Sequence, residues 1–581
     1  MSIYDKSSLV LIPSGTKTGK VFSQKPVSGD GDFTFTRASA ATRVNADGNI
    51  EKETQNLLTY SNDFSGNWLR YNATNTSGQS GYDGSNDATL VTATGTFCRT
   101  YKNISGSGVY TGSVYVKAGT APWALFRIQG TNNNQLYVSL SDGSYVVSGG
   151  DVISQKVESV GSGWYRLELS INTSLVTLNV YAALNNGDLE TSNETIYIQD
   201  AQLNQGLIAQ EVITTTTAAV YGGITDNTPR LDYTDSSCPA LLLEPLRTNI
   251  QPYSEYVNAY TKSRSTITTN ATTSPEGVSN ASKVIPLSTS TGWSGINAPN
   301  YSFTSGQTYT LSVFAKAGEY NYCQVGGSTP AFNGSFATIN LTNGVVEHES
   351  GITASTEDYG DGWYRISFTH TAIATASSPI GFFAVYSTAV SSRLVAQVGD
   401  NVSGVYIFGW MAELGSFSTS YIPTYGSSVS RVAETNSVTG ISSLINNSEG
   451  TLFIEAATLE NGANCRITYS DGTINNRVSI EWDILANTIK GFIGTSGNVE
   501  TTSYDQTIMN KIALVYNATD ARLFINGTKV FTDSSVPSLS GMDRLEFSNY
   551  GGALPFVGNT KQLLILKEKL TDQEAIDLTT I

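Results

Sequence analysis

Ser113-Val-Tyr-Val-Lys-Ala-Gly119 and, 199 positions on, Ser312-Val-Phe-Ala-Lys-Ala-Gly318 are the stretches that decide the fold. Gly163-Trp-Tyr-Arg166 returns as Gly362-Trp-Tyr-Arg365 at the same spacing. Upstream, Asn56-Leu-Leu-Thr-Tyr60-Ser61 parallels Asn249-Ile-Gln-Pro-Tyr253-Ser254 at an offset of 193, and Asp83-Gly84 with Ala88 parallels Glu276-Gly277 with Ala281. Downstream, Ala201-Gln-Leu203 parallels Ala412-Glu-Leu414. Fixed order with drifting spacing points to a duplicated domain whose loops have changed length. The repeated pieces read as strands. Gly112, Val114, Val116 and Ala118 alternate with Thr111, Ser113, Tyr115 and Lys117, a period of two that predicts one buried and one exposed face. The second copy repeats the pattern, and Tyr165, Leu167, Leu169 and Ile171 form an apolar face matched by Tyr364, Ile366, Phe368 and His370.

Working outward, the whole chain reads as all-β. Gly is 54 of 581 residues, Tyr 31 and Phe 21, while charged residues are only 14%, too few for long helices with charged outer faces. The expected fold class is tandem β-sandwich (jelly-roll) domains with an extended N-terminal arm and a short C-terminal helix. The expected divisions are 1–50, an extended N-terminal attachment arm; 51–215, sandwich repeat 1; 216–248, a connector strand; 249–430, sandwich repeat 2; and 431–581, a further sandwich. In that last module Arg522-Leu-Phe-Ile-Asn526-Gly527-Thr-Lys-Val530 predicts a two-residue type I′ hairpin, because both turn residues need positive φ. Thr571-Asp-Gln-Glu574 is a capping box opening the one expected helix.

Net charge is −16 with no Lys/Arg-rich run, which argues against nucleic-acid binding. No apolar run approaches the ~20 residues of a membrane span, so no membrane insertion is expected. Met1-Ser-Ile-Tyr-Asp-Lys6 lacks the basic segment and apolar core of a signal peptide, which predicts assembly in a cytoplasm. Cys98, Cys238, Cys323 and Cys465 are far apart and form no CxxC motif.

Three segments carry a family resemblance. Phe33-Thr-Phe-Thr-Arg37-Ala-Ser-Ala-Ala-Thr42-Arg43-Val-Asn with Asp47-Gly48, Pro229-Arg-Leu-Asp-Tyr233 with Leu241-Leu-Leu-Glu-Pro245-Leu-Arg-Thr-Asn249, and Ser418-Thr-Ser-Tyr421-Ile-Pro423-Thr resemble segments of bacteriophage virion structural proteins of the tail-fibre, head-fibre and appendage type. The repeats also resemble carbohydrate-binding modules of the jelly-roll type, and residues 431–581 resemble concanavalin A/laminin-G-like domains. The resemblance implies a virion protein exposed on the particle exterior, joined to other virion proteins through the N-terminal arm, forming a homo-oligomer, a trimer by analogy with jelly-roll fibres, and touching host surface glycans. A secreted or cell-surface glycan-binding protein and a polysaccharide depolymerase are the alternative readings.

Little in the sequence points to catalysis, and no catalytic residue is assigned. His348 and His370 are the only histidines, with no nucleophile motif beside either, and no GxSxG, HExxH or phosphate-loop pattern appears. Glu481-Trp-Asp483-Ile-Leu-Ala486 has two of the three acids found on one strand in some concanavalin A-like hydrolases; Ala486 stands where the third would be. Asp83 and Asp87 offer oxygen ligands at loop spacing for a structural Ca²⁺, with a plain turn as the preferred reading. No other cofactor is expected. For glycan contact the candidates are Trp68, Trp123 and Trp293, in loop or non-repeated contexts. Trp164 and Trp363, each with Arg two residues on, are read as architectural, with the Arg stacked on the Trp.

Overall fold

A computed structural model of the chain describes residues 2–234, 236–288, 292–501 and 503–581. The chain is built almost wholly of antiparallel strands. Its first repeat is two six-stranded sheets packed face to face. One runs Val152–Gly161, Trp164–Ser174, Ser107–Ala118, Thr195–Gln205, Ala88–Ala93, Ala73–Gln79. The other runs Tyr145–Ser148, Asn133–Ser139, Trp123–Gln129, Thr177–Ala183, Arg99–Asn103, Leu69–Tyr71. The second repeat has the same two sheets in the same order: Thr353–Asp358, Trp363–Thr371, Thr308–Ala317, Val405–Leu414, Ala281–Pro286, Ser265–Thr272, and Val345–Ser350, Phe336–Asn340, Tyr322–Gly326, Phe382–Tyr386, Gly295–Asn297, Thr261–Ser263. The sheets of each repeat enclose a core of their own, Val114, Val116 and Leu167 in one and Leu311, Val313 and Ile366 in the other.

The repeated Asn has a structural reason. Asn56 Nδ2 donates to the Ala201 and Ile213 carbonyls and its Oδ1 accepts from the Leu58 and Leu203 amides. Asn249 does the same work against Ile422, Gln251 and Ala412, so one buried side chain pins the start of each repeat to its last strand.

The alternation predicted one exposed face for Ser107–Ala118, and the structure corrects this: Thr111, Ser113 and Tyr115 are buried as well. Residues 206–213 fold back across that outer face. Thr111 Oγ1 donates to the Gly206 carbonyl, Ser170 Oγ to Leu207, and Gln202 Nε2 to Gln210. Residues 415–420 lie across the second repeat in the same way, with Thr310 Oγ1 donating to Gly415. Arg166 and Arg365 stack on Tyr115 and Phe314 of the neighbouring strand, not on Trp164 and Trp363 as expected; both tryptophans are buried. Cross-strand register puts each Arg directly opposite that ring.

The third sandwich is assembled from three separated stretches. Ser7–Leu11 pairs with Gly558–Leu566, as does Ala240–Leu243, in an eight-stranded sheet with Arg230–Asp232, Gly450–Thr458, Asn510–Tyr516, Ala521–Ile525 and Thr528–Asp533. Phe33–Thr36 joins the facing nine-stranded sheet beside Thr435–Thr439. Leu9, Leu11, Val21, Phe33, Phe35, Leu241 and Leu243 are all in its core. The N-terminal residues are thus short strands, as expected, but they pair within the third sandwich instead of reaching out as a free arm, with Thr16–Lys17 at the edge of the nine-stranded sheet. The chain begins in this sandwich, leaves to make repeat 1, returns, leaves to make repeat 2, and ends in it. Asn526 and Gly527 both have positive φ in the hairpin, and Thr571 and Glu574 cap the helix Asp572–Thr579 reciprocally. No helix among the described residues is long and apolar enough to cross a membrane.

Where the chain crosses between sandwiches, the resemblance-bearing segments converge on one buried ionic clamp. Glu434 accepts from Arg37 Nη1 at 2.7 Å and from Arg230 Nε at 2.9 Å and Nη2. Glu244 takes Arg230 Nη1 at 2.6 Å and Arg431 Nη1 at 2.8 Å, with Ser420 donating from its amide and hydroxyl. Burial pushes the Glu244 carboxyl up, but Arg431, Arg230 and Ser420 outweigh it and hold it down to about 2. A second joint lies between the repeats. Lys52 Nζ sits 2.8 Å from both Glu255 and Glu276 and donates to Tyr425 Oη. Burial pushes the Glu276 carboxyl up, Lys52 pulls it back, and Glu255 adds to the rise.

Candidate functional site

The two repeats differ most on the outer face of their second sheet. In repeat 1, alternation along Trp123–Gln129 sends Ala124, Phe126 and Ile128 into the core and Trp123, Leu125 and Arg127 outward. Register then sets the outward row. Leu125 lies opposite Tyr181 and Tyr137, Tyr181 opposite Arg99, and Arg99 opposite Tyr71. The next row holds Gln135, Arg127, Asn179 and Tyr101.

The aromatics and guanidiniums of this face interleave. Arg99 lies 5.0 Å from the Tyr71 ring centre, 5.1 Å from Tyr101 and 5.6 Å from Tyr181, and Arg127 lies 4.9 Å from Tyr181. Arg99 Nη1 donates to Tyr181 Oη at 3.2 Å. The Nε atoms of Arg99 and Arg127 are buried with no hydrogen-bond partner. Neither Arg is paired with a carboxylate among the described residues. Burial, with Arg99 close by, depresses the Arg127 guanidinium from its ordinary value. Trp123, Arg99, Tyr101, Arg127 and Gln135 are half-buried, and Tyr71 is 49% exposed at the edge. Leu189, from the loop 184–194, closes a buried cluster with Leu125, Tyr137, Tyr181 and Ala183, against which Trp123 packs, so the accessible part of the face is the half-buried Trp123, Arg127, Gln135, Arg99 and Tyr101 and the exposed Tyr71.

In repeat 2 the same face is filled in. Register places Gly295 where Arg99 stands, Gly326 where Arg127 stands, and Ala384 in place of Tyr181. The longer loop 387–404 lies across it: Gln324 Nε2 donates to the Ser392 carbonyl, Thr338 Oγ1 to Val390, and the Leu394 amide to Gln324 Oε1. A Cβ at Gly295 would sit 2.1 Å from the Phe383 carbonyl oxygen, and one at Gly326 2.1 Å from that of Ser335. The second copy therefore has no room for the side chains that define the first.

Of the three tryptophans expected to meet sugars, only Trp123 lies on the open face. Trp68 is a correction: it is 3% exposed, packed on Phe64, with Nε1 donating to the Tyr60 carbonyl, because its strand-entry position points into the repeat 1 core. Trp293 is half-buried against Phe382 in the apolar cluster under the repeat 2 loop. Arg99, Arg127, Tyr71 and Tyr101 were missed, since none sits in a motif. One signal was available: the 199-residue offset sets Arg127 on Gly326.

Asp83 and Asp87 face donors. Gln199 Nε2 lies 3.1 Å from one and 2.8 Å from the other, and Ser85 Oγ donates to both. No group of three or more His, Cys, Asp or Glu among the described residues could hold a metal. His370 is buried between Phe332 and Phe368, hydrogen-bonded to the buried Ser335 hydroxyl, and burial drives its ring down to about 4. Glu481 pairs with Arg466, and Asp483 with Lys490 at 2.7 Å.

No protein-family model matches this chain, and no curated protein matches it. Among solved structures, the carbohydrate-binding module CBM40 of the Ruminococcus gnavus IT-sialidase, bound to alpha2,3 sialyllactose, is similar at 17% identity, over 23% of this chain and 84% of that one, with a TM-score of 0.21. The N-terminal CBM22-1–CBM22-2 tandem of Paenibacillus barcinonensis Xyn10C is similar at 12% identity, over 62% of this chain and 98% of that one, with a TM-score of 0.17. The architecture rests on the sheets themselves, not on these scores.

Proposed function

We propose that this chain is a non-enzymatic structural protein of a tailed-phage particle, displayed on its exterior, that grips host surface glycans through the open sheet face of repeat 1. The observation that carries the binding part is the contrast within one duplication. One copy keeps two arginines with Trp123, Tyr71 and Tyr101 accessible beside a covered patch, while the other replaces both arginines with glycine and roofs the face with a loop. Aromatic faces stack on sugar rings, and Arg and amide groups fix their hydroxyls. Virion membership rests on the resemblance of the segments around Arg37, Arg230, Glu244 and Tyr421. Attachment to other virion proteins then falls to the third sandwich, which exposes Ile484 and Leu485 next to the Gln506 that anchors their turn. Assembly as a homotrimer multiplies weak glycan contacts by avidity.

Immunogold labelling of purified particles tests this reading. Gold on intact virions supports it, and unlabelled virions from a lysate rich in the protein overturn it. Incubation with host polysaccharide tests the non-enzymatic part, where released reducing ends would contradict it.

A further inference from the structure

We propose that the ligand of the open face in repeat 1 is an acidic glycan, one carrying carboxylates as uronic or nonulosonic acid residues, with Arg99 and Arg127 as the groups that pair with them. This rests on the glycan-binding reading above and names its substrate class.

Charge placement carries the argument. The chain has 49 Asp and Glu against 33 Lys and Arg, yet the six strands of this sheet contain no Asp or Glu at all. The sheet packed behind it carries Glu158, Glu168 and Asp200, so acids are not excluded from the repeat in general. In the covering loop, Asp188 is turned to Asn185 and to the Glu190 amide. Arg37, Arg230 and Arg431 in the clamp and Arg466 in the third sandwich have carboxylate partners, while Arg393 and Arg477 donate to the Gly327 and Gly494 carbonyls. Arg127 has none and donates no side-chain hydrogen bond among the described residues, and Arg99 donates one, to a tyrosine hydroxyl. A guanidinium offers five N–H donors in a planar fork that matches a carboxylate bidentately. Two such forks held by tyrosine rings and left without carboxylate partners form a preorganised receptor for anions, and Trp123, Tyr71 and Tyr101 beside them supply faces for sugar rings. Repeat 2, with glycine at both positions, retains neither function.

Binding of the full-length protein to immobilised polygalacturonate, alginate, hyaluronan and colominic acid, each beside its carboxyl-reduced neutral form, tests this. We expect at least one acidic polymer to bind ten-fold or more tightly than its reduced form. That preference should weaken as salt rises from 50 to 500 mM, on the order expected for one or two ion pairs screened by salt. Arg127→Gln and Arg99→Gln should each lower acidic-polymer affinity about ten-fold, at unchanged circular dichroism, while the exposed Arg70→Gln leaves it unchanged. Because the protein is strongly anionic overall, non-specific polyanion attraction is opposed. Equal binding to acidic and reduced polymers, insensitive to both Arg variants, overturns the acidic ligand and leaves glycan binding standing. Binding to no polymer of either kind overturns both. Should either variant unfold, the preference for acidic over reduced polymer and its salt dependence in the parent protein decide the matter.

Discussion

Replacing Glu434 with Gln leaves the clamp with three buried guanidiniums and one carboxylate. In the parent, Glu434 accepts from Arg37 Nη1, from Arg230 Nε and Nη2, and from the Glu244 amide. Its side chain and those of Arg37 and Arg230 are fully buried. Gln keeps the shape and one acceptor but turns an NH₂ group toward arginine donors. Charge-assisted hydrogen bonds contribute about 1.5–3 kcal/mol each. Breaking a buried pair from one side costs about 3–5 kcal/mol, because the partner charge stays buried without compensation. The expected loss is therefore about 4 kcal/mol. At roughly 2–4 °C per kcal/mol for a domain of this size, the thermal midpoint should drop about 8–16 °C. Differential scanning calorimetry at pH 7 reads this directly. Since Arg37, Arg230 and Glu434 lie on three stretches far apart in sequence, the shift should appear in the transition of the third sandwich. A variant melting within about 2 °C of the parent would refute the claim that the clamp holds the crossings together.

Three further outcomes follow from the same structure. Glu244, held at about 2, stabilises the fold fully above its unfolded value of 4.5, and that stability is lost as pH falls from 4.5 toward 2; the gap in unfolding free energy between parent and Glu244→Gln from urea titrations, about 3 kcal/mol at pH 6, should close by pH 2. Glu276 is raised, so its ionisation costs stability as pH climbs above its unfolded value; Glu276→Gln should melt no lower than the parent at pH 8, and a clearly lower midpoint there would contradict the dominance of burial and Glu255 over Lys52 at this carboxyl. Deleting residues 2–36 removes Leu9, Leu11, Val21, Phe33 and Phe35 from a closed core and should give aggregated protein on size-exclusion chromatography; a soluble, cooperatively melting product would show that the N-terminal strands are dispensable.

The duplication, the strand periodicity, the Asn526–Gly527 hairpin and the capped helix were legible because each is a local pattern. The make-up of the third sandwich was not. Leu9–Leu11 and Leu241–Leu243 are short apolar runs buried on both faces, with no alternation to orient them, and Gly558–Leu566, their shared partner, is hundreds of residues away. The burial of Thr111 and Ser113 was hidden for a different reason: a polar face looks solvent-exposed in sequence when it is covered by a backbone strap that accepts its hydroxyls. At the candidate site, Trp123 was visible as an unrepeated aromatic. Arg99 and Arg127 acquire meaning only from cross-strand register, which brings five separate strands into one lattice.

Hydroxyl-radical footprinting of the full-length protein with and without host surface polysaccharide tests the central claim most directly. Recognition at repeat 1 predicts loss of oxidation at Trp123, Tyr71 and Tyr101, with Trp293 and Tyr322 of repeat 2 unchanged. Protection confined to repeat 2, or spread evenly over all three sandwiches, would contradict it.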